Sequence, residues 1–395
     1  MKDEHPIRAL QVVDTLGMGG AETWLMEVLR LWSKTGACQL DFLVTSGQRG
    51  IFDDEAVKLG AKIHYVPYAR AHLPRFVQEF RRLLRKGRYD AIHDHQDYTS
   101  GWHFLMGTGS LPPVRVTHVH NPAYQIRNNY GVTLGRRVTS QVGKALVARY
   151  ASHIAGTSRQ VISEYGFNAR VFRRIPKAAL HCGFDPARFL VDRETARTAI
   201  CQAFGWPQDA RIALFAGRID QSPDPDHPQS HKNAAYAVSV AIAAAKRDER
   251  VCLLLAGAPS PAVLTLEQRI AEAGLARRIV FVGIRRDIER LMVASDVLLF
   301  PSRGEGLGMV AVEAQAAGLP VLASTNVPRE AVVVPELVRF QTLDAGAEVW
   351  KDDLLDMLNN RPHVADANER MAASPFAIAH SARALEELYR TGTLV

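Results

Sequence analysis

Residues 302–320 read SRGEGLGMVAVEAQAAGLP and place Glu305 eight positions before Glu313. The run just before, DVLLF (296–300), is a short apolar strand pattern closed by Pro301, and MVAVEAQAAG (309–318) reads as a helix ending at Gly318. Gly304, Gly306 and Gly308 let the backbone between them turn tightly and approach a ligand, because glycine has no Cβ and tolerates positive φ. A helix starting near Gly308 turns unpaired N–H groups and a positive dipole end toward the carboxyl edge of the sheet, a ready site for an anion. A carboxylate beside a bound phosphate would repel it. Glu305 and Glu313 are therefore expected to accept hydrogen bonds from hydroxyls on either side of that anion, and sugar and ribose hydroxyls are the obvious donors. The plainer alternative is a capping loop followed by a solvated helix glutamate.

Working outward, the same strand–helix rhythm fills the chain. ALQVVD (9–14) leads into a helix from about Gly20 to Trp32, and LDFLVT (40–45), KIHYVP (62–67), DAIHDH (90–95), VRVTHVH (114–120) and HIAGTS (153–158) follow. The pattern restarts with RIALFAG (211–217), VCLLLAG (251–257), IVFVG (279–283), DVLLF (296–300) and PVLAS (320–324). Apolar strands separated by helix-length segments predict doubly wound parallel sheets. With 395 residues, two domains are expected rather than one core. The Gly/Pro-rich stretch HCGFDPARF (181–189) suits the linker. The expected architecture is α/β, two Rossmann-like domains, 1–185 and 186–375, facing a cleft.

Composition narrows the class. Apolar residues make up 47% and charged residues 23%, as in a soluble globular protein, and no apolar run is long enough to span a bilayer. The start MKDEHPIRALQVV carries charges where a secretory leader needs an apolar stretch. Cys38, Cys182, Cys201 and Cys252 are scattered, which favours reduced, buried thiols in a cytoplasmic protein over disulfides or a zinc site. Residues 1–185 hold 25 Lys+Arg against 15 Asp+Glu, a charge of +10; residues 186–395 hold 23 against 26, or −3. The excess gathers in RFVQEFRRLLRKGRYD (75–90) and in 101–150, which has six basic residues and no acid. In the first of these Phe76, Phe80, Leu83 and Leu84 share one helix face, and Arg81, Arg82, Arg85 and Lys86 the other. Such a helix is either an ordinary solvated one or a surface for anionic lipid headgroups at the inner face of a membrane. Nucleic acid is not expected, because no recognition motif or basic–aromatic interleaving accompanies the charge.

Two motifs are set aside. LGMGGAE (16–22) approaches the dinucleotide fingerprint, but Glu22 stands where its third glycine belongs and the next strand ends in VTSG, with no acid for an adenosine ribose. HDHQDY (93–98) approaches a metallo-hydrolase histidine motif, but Tyr98 replaces its last histidine and no further ligand cluster is legible. No metal is expected; His93 is read as packing, and His95 or Asp97 as lining the acceptor side.

The stretch at 302–320 resembles the E-x7-E signature of family 4 retaining glycosyltransferases, and the likeness runs through nearly the whole chain. DTLGMGGAE (14–22) is similar to that family's first glycine loop, AIHDH and THVHN to its acceptor-side strand ends, and AGRID with HKN to its Gly-Arg and Lys pair. FVGIRRDIERLMVASDVLLFPSRGEGLG is similar to its donor-site block, and FAIAHSARALEELYR to the helix (376–395) that returns to the first domain. THVHN and VRFQTLDAGAEVW resemble bacterial exopolysaccharide-type members. The resemblance implies the GT-B fold, a nucleotide-diphosphate sugar as co-substrate with no cofactor or metal, and transfer with retention to a glycan or lipid-linked acceptor.

Carried over residue by residue, the resemblance implies that Glu313 holds the ribose and Glu305 the sugar hydroxyls. The amides of Gly308, Met309 and Val310 would meet the distal phosphate, with Gly306 and Leu307 in the same donor-binding loop. Arg218 and Lys232 would neutralise the diphosphate, a role that two fixed cations can fill without Mg²⁺. Gly19 and Gly20 would let donor or acceptor approach the backbone, and His120 would contact the sugar near its reacting carbon through ring or carbonyl. His118, two residues earlier, reads as a core histidine. One departure stands out: QSPDPDHPQS (221–230) separates Arg218 from Lys232 where the family has a short loop, and is expected to form a mobile flap. Readings left open are a nucleotide-sugar epimerase or hydrolase of the same fold, and a non-catalytic carbohydrate-binding protein.

Overall fold

Seven strands build the first sheet: β1 (Ile7–Val13), β2 (Cys38–Val44), β3 (Ile63–Tyr65), β4 (Ala91–Asp94), β5 (Val114–Val119), β6 (His153–Gly156) and β7 (Lys177–Ala179). All neighbours pair in parallel, in the order β3-β2-β1-β4-β5-β6-β7. Six strands build the second: β8 (Arg211–Ala216), β9 (Val251–Ala256), β10 (Ile279–Gly283), β11 (Val297–Phe300), β12 (Val321–Ser324) and β13 (Val338–Gln341). They too are parallel, ordered β10-β9-β8-β11-β12-β13. Both sheets follow the Rossmann order, in which the winding reverses beside the first strand. The computed structural model describes residues 6–130 and 133–394.

The sheets belong to two compact units. One runs up to Asp185 and takes in the chain again from Pro375; the other is Pro186–Ser374. Central strands are buried on both faces, as in the fully buried VCLLLA of β9, so they read as continuous apolar runs rather than alternations. Each strand expected from sequence is present. Two strands escape that reading, β7 and β13. Both are short, half-buried edge strands without the apolar run that marks the others.

The covering helices follow the same economy. Gly20–Thr35 buries Trp24, Leu25, Val28, Leu29 and Trp32 at helical spacing and ends at Gly36, whose φ of 69° closes it in the left-handed conformation. Leu73–Gly87 buries Phe76, Phe80 and Leu84; Arg81, read as part of a free basic face, is half-buried and donates to the Met106 carbonyl at 2.6 Å. Ala234–Arg247 turns alanines and valines inward, small side chains that let the helix lie close to its sheet. Ile378–Thr391 packs in the first unit: Ser381 Oγ accepts from Trp24 Nε1 at 2.7 Å and donates to the His181 carbonyl at 2.8 Å. All four cysteines are unpaired and buried. No helix among the described residues is long and apolar enough to cross a membrane.

Candidate active site

In open parallel sheets ligands gather at the carboxyl ends of the strands, where the order reverses. That places attention on the ends of β8 and β11 in the second unit, and of β1, β4 and β5 in the first.

Behind β11 the chain turns through 301–308, all buried except a half-buried Arg303, and enters the helix Met309–Ala316. Gly308 caps that helix at φ 93°, a conformation that any side chain would strain, and an added Cβ would lie 3.2 Å from Phe300 and Val327. The amides of Gly308, Met309 and Val310 donate to no group among the described residues, as the first turn of a helix leaves them free to do. Glu305 is 6% exposed. Its two carboxylate oxygens each lie 2.8 Å from Lys232 Nζ, and Oε1 also accepts from Ser302 Oγ at 2.6 Å. Two residues assigned to different parts of a substrate are thus joined in one ion pair. Glu313 is half-buried inside the helix, and Arg218, exposed just beyond β8, makes no ion pair among the described residues.

Lys232 is held by backbone rather than by chance. Asp220, 4% exposed, accepts from the amides of Lys232, Asn233 and Ala234 at 3.2, 2.7 and 3.3 Å, capping the helix Ala234–Arg247 from twelve residues upstream. Asn233 itself sits at φ 62°. The His231 carbonyl accepts from Ser302 Oγ and from the Arg303 amide, both at 2.8 Å, which ties the lysine segment to the glutamate loop. Segment 221–230 is not the free flap expected. Arg303 Nη1 donates to the Pro225 carbonyl at 2.6 Å, Arg269 Nη1 to that of Pro223 at 3.0 Å, and Ser230 Oγ to that of Asp224 at 2.8 Å. Two of these bonds tie the segment to the rest of the unit and the third closes it on itself.

In the first unit, Gly19 caps the helix Gly20–Thr35. A Cβ on Gly19 would fall 2.1 Å from Glu22 Oε2, so the glutamate folds back over the helix start. Burial raises the Glu22 carboxyl above its ordinary range. This changes the expectation for the glycine loop: a carboxyl group covers Gly19 and suits a hydroxyl partner better than a phosphate, while the Cβ direction of Gly20 is open.

The ends of β4 and β5 carry four histidines. Residues 93 and 95 share one face of β4, and 118 and 120 the matching face of β5, with His93 registered against Val116. His93 Nε2 lies 3.0 Å from His118 Nδ1, and His95 Nδ1 lies 2.9 Å from His120 Nε2. Gln11 of β1 and Tyr389 of the C-terminal helix close the group: Tyr389 Oη is 2.6 Å from His93 Nδ1 and Gln11 Oε1 is 3.0 Å from His95 Nε2. The Trp24 ring stands edge-on to His95 and His118. Burial is the main reason that His93, His95 and His118 stay well below the ordinary imidazole range and His120 is held at about 3. The His120 carbonyl accepts from Thr157 Oγ1 at 3.3 Å and its amide faces Asp97 Oδ1 at 3.4 Å; burial lifts the Asp97 carboxyl to about 7.

His93, His95 and His118 also offer one ring nitrogen each within 4.8 Å of one another, close enough for a shared cation. The spacing in 93–98 hid this set, because its third member comes from the next strand. Asp220, Gln11, Ser302 and Tyr389 were likewise missed as site residues. Asp220 acts on amides 12 to 14 positions away, Ser302 on the His231 carbonyl 71 positions away, and Gln11 and Tyr389 on histidines 84 and 296 positions away; only the AGRID segment draws attention to its aspartate.

Residues 18–188 match the model for Glycosyltransferase Family 4, and residues 210–359 that for Glycosyl transferases group 1. EpsF of Bacillus subtilis (strain 168), a protein named as a glycosyltransferase, is 28% identical over 349 residues, 88% of this chain and 86% of its own. The D-inositol 3-phosphate glycosyltransferase of Nocardia farcinica is 30% identical over 335 residues, covering 79% and 68%. Among solved structures, Anabaena HepE in complex with UDP and glucose superposes with a TM-score of 0.77 at 17% identity, covering 98% of this chain and all of that one. Two family models that between them span most of the chain, a relative matched along its length and a shared two-domain fold lead to one conclusion: the chain is a GT-B glycosyltransferase and belongs to family 4.

Proposed function

We propose that this glycosyltransferase moves a sugar from a nucleotide-diphosphate donor to a hydroxyl of a glycan or lipid-linked acceptor, with retention and without a metal, in surface polysaccharide synthesis. The observation that carries the reading is the Lys232–Glu305 pair beside the unpaired amides at the start of the helix Met309–Ala316. Those amides, Lys232 and Arg218 would supply positive charge to the diphosphate as negative charge grows on it. Glu305 would accept from the sugar's hydroxyls and Glu313 from the ribose. His120 would face the sugar near its reacting carbon. The acceptor hydroxyl forms the new bond to that carbon on the face from which the phosphate oxygen departs, and its proton passes to that oxygen, so the products are the glycoside and the nucleoside diphosphate. HepE, with its bound UDP and glucose, supports the donor class, and EpsF, itself named as a glycosyltransferase, supports the reaction class.

For the acceptor side we favour a lipid surface at the first unit, at the inner face of the plasma membrane. Leu134, Val138 and Val142 are 79%, 54% and 38% exposed at four-residue spacing on the helix Leu134–Tyr150, within the acid-free, basic stretch. An exposed apolar row flanked by arginines is what an interfacial helix presents to anionic headgroups. The apolar face of Leu73–Gly87, by contrast, is spent in the core.

The test begins with thermal shifts against UDP-, GDP- and ADP-sugars, where a ligand at 100 times its Kd adds about 2.7 kcal/mol to stability. Product NMR with the responsive donor then reads the anomeric configuration, with and without excess EDTA. Retained configuration and equal turnover in EDTA are expected. Inversion overturns the stereochemical assignment, and a hundredfold loss restored by Mg²⁺ or Mn²⁺ overturns the assignment of charge to Arg218 and Lys232.

A further inference from the structure

The four histidines, Gln11 and Tyr389 form two hydrogen-bonded chains that start from the two ends of one carboxamide. Gln11 Nε2 donates to Tyr389 Oη at 3.0 Å. A phenol that accepts there has its own proton for His93 Nδ1, at 2.6 Å. His93 must then carry its proton on Nε2 and donate to His118 Nδ1 at 3.0 Å, leaving the His118 proton on Nε2. The other end is Gln11 Oε1, which can only accept, so His95 donates to it from Nε2 at 3.0 Å. His95 Nδ1 is then an acceptor, and His120 donates to it from Nε2 at 2.9 Å. What remains is the lone pair on His120 Nδ1, which meets no donor among the described residues.

Each step holds because the rings are neutral, with one donor and one acceptor apiece, and burial keeps them so. The logic is cooperative. Reversing the Gln11 amide would reverse both chains at once and turn His120 Nδ1 into a donor. The far end of the first chain, His118 Nε2, is fully buried and without a partner in either state, so it does not choose between them. The choice rests on one amide, 109 residues from the histidine whose tautomer it sets.

We infer that Gln11 is a positioning residue that fixes the proton of His120 on Nε2 through His95, so that the ring presents Nδ1 to the substrate as an acceptor for a sugar hydroxyl. Its consequence for catalysis rests on the placement of His120 at the sugar in the proposed function; the tautomers do not.

The test is ¹⁵N-histidine labelling of the full chain and two-bond ¹⁵N–¹H correlation spectra, which show which nitrogen of each ring is protonated. Four neutral rings at His93, His95, His118 and His120, each protonated on Nε2, are expected without any ligand. Four rings protonated on Nδ1 would mean the opposite amide orientation and overturn the assignment. So would a mixed pattern within either chain, or a resident transition metal on these rings, since a metal needs the same lone pairs. Gln11→Glu separates the chains. A carboxylate has no donor, so Tyr389 and His95 both donate to it, and His93 must now give Tyr389 its Nδ1 proton. His93 and His118 should switch to Nδ1–H while His95 and His120 stay Nε2–H; all four moving together overturns the inference. Gln11→Leu should lower kcat about tenfold or more and change the affinity for the nucleoside diphosphate of the responsive donor less than about twofold, because only the contact at the reacting sugar is misset. If the spectra come out as expected but kcat is unmoved, the tautomer relay stands and the placement of His120 at the sugar falls.

Discussion

Replacing Lys232 by methionine keeps most of the side-chain volume and removes the ammonium that Glu305 grips. Glu305 would keep the Ser302 hydroxyl as its partner in a site where it is 6% exposed. A carboxylate stranded there can escape by taking up a proton. An ordinary glutamic acid titrates near 4.3, so carrying it as the acid at pH 7 costs about 1.36 × 2.7, or about 3.7 kcal/mol, which is a ceiling on the damage. At pH 5 the same ceiling is about 1 kcal/mol. The sign follows from linkage: the folded variant holds a proton that the unfolded chain has released, so it gains stability relative to wild type as pH falls. The deficit is therefore largest at neutral pH. For a unit of about 150–250 residues, 1 kcal/mol moves Tm by about 2–4 °C, giving a drop of about 7–15 °C at pH 7 and about 2–4 °C at pH 5. Adding Glu305→Gln should restore most of the loss, because removing both members of a buried pair leaves no stranded charge. Scanning calorimetry of the full chain, following the transition of the Pro186–Ser374 unit, measures this; comparing variants at each pH cancels titrations they share. An equal drop at both pH values, or a double variant no better than the single one, refutes the reasoning.

The histidine array makes the first unit acid-labile. Just below the ordinary imidazole range the unfolded chain carries protons on His93, His95, His118 and His120 that the folded unit does not. Asp97, lifted to about 7, opposes this by one proton down to its ordinary range. Three net protons make stability fall with pH by roughly 4 kcal/mol per unit near pH 5.5, and a transition temperature for that unit that stays level from pH 6.5 to 5.5 would contradict the assignment. Glu313→Ala should weaken nucleoside diphosphate binding by about 1.5–3 kcal/mol in calorimetry, while Glu305→Ala should spare that affinity and lower kcat more; the opposite split would exchange their roles. Leu134→Ser with Val138→Ser should release the protein from anionic vesicles at physiological salt, more than neutralising Arg82, Arg85 and Lys86 does. Equal binding of wild type and variant to neutral and anionic vesicles would argue for a soluble acceptor.

Local sequence determined the strands and the glycine loop, because each is marked by residue types within a few positions of one another. A run such as VCLLLA can be stable only where both faces are covered, and the loop that ends at Gly308 needs a residue free to adopt φ 93°. Edge strands β7 and β13 were not legible, since half-exposed segments of three and four residues carry no period. The partners of the site residues were decided by tertiary structure alone. Lys232 and Glu305 are 73 positions apart and read as two separate ligands, yet in space each is the other's counter-ion. The segment 221–230 reads as a flap until the carbonyls of Pro223 and Pro225 are seen to bond arginines from other elements. His93 and His118 read as core packing and His120 as a lone contact, because the period of two places each on a face but says nothing about the next strand. Registering β4 against β5, and laying Tyr389 and Gln11 at the end of that row, turned four separate histidines into one directed network, for the physical reason that a hydrogen bond's direction is set by its partner and the partners here lie up to 378 residues apart.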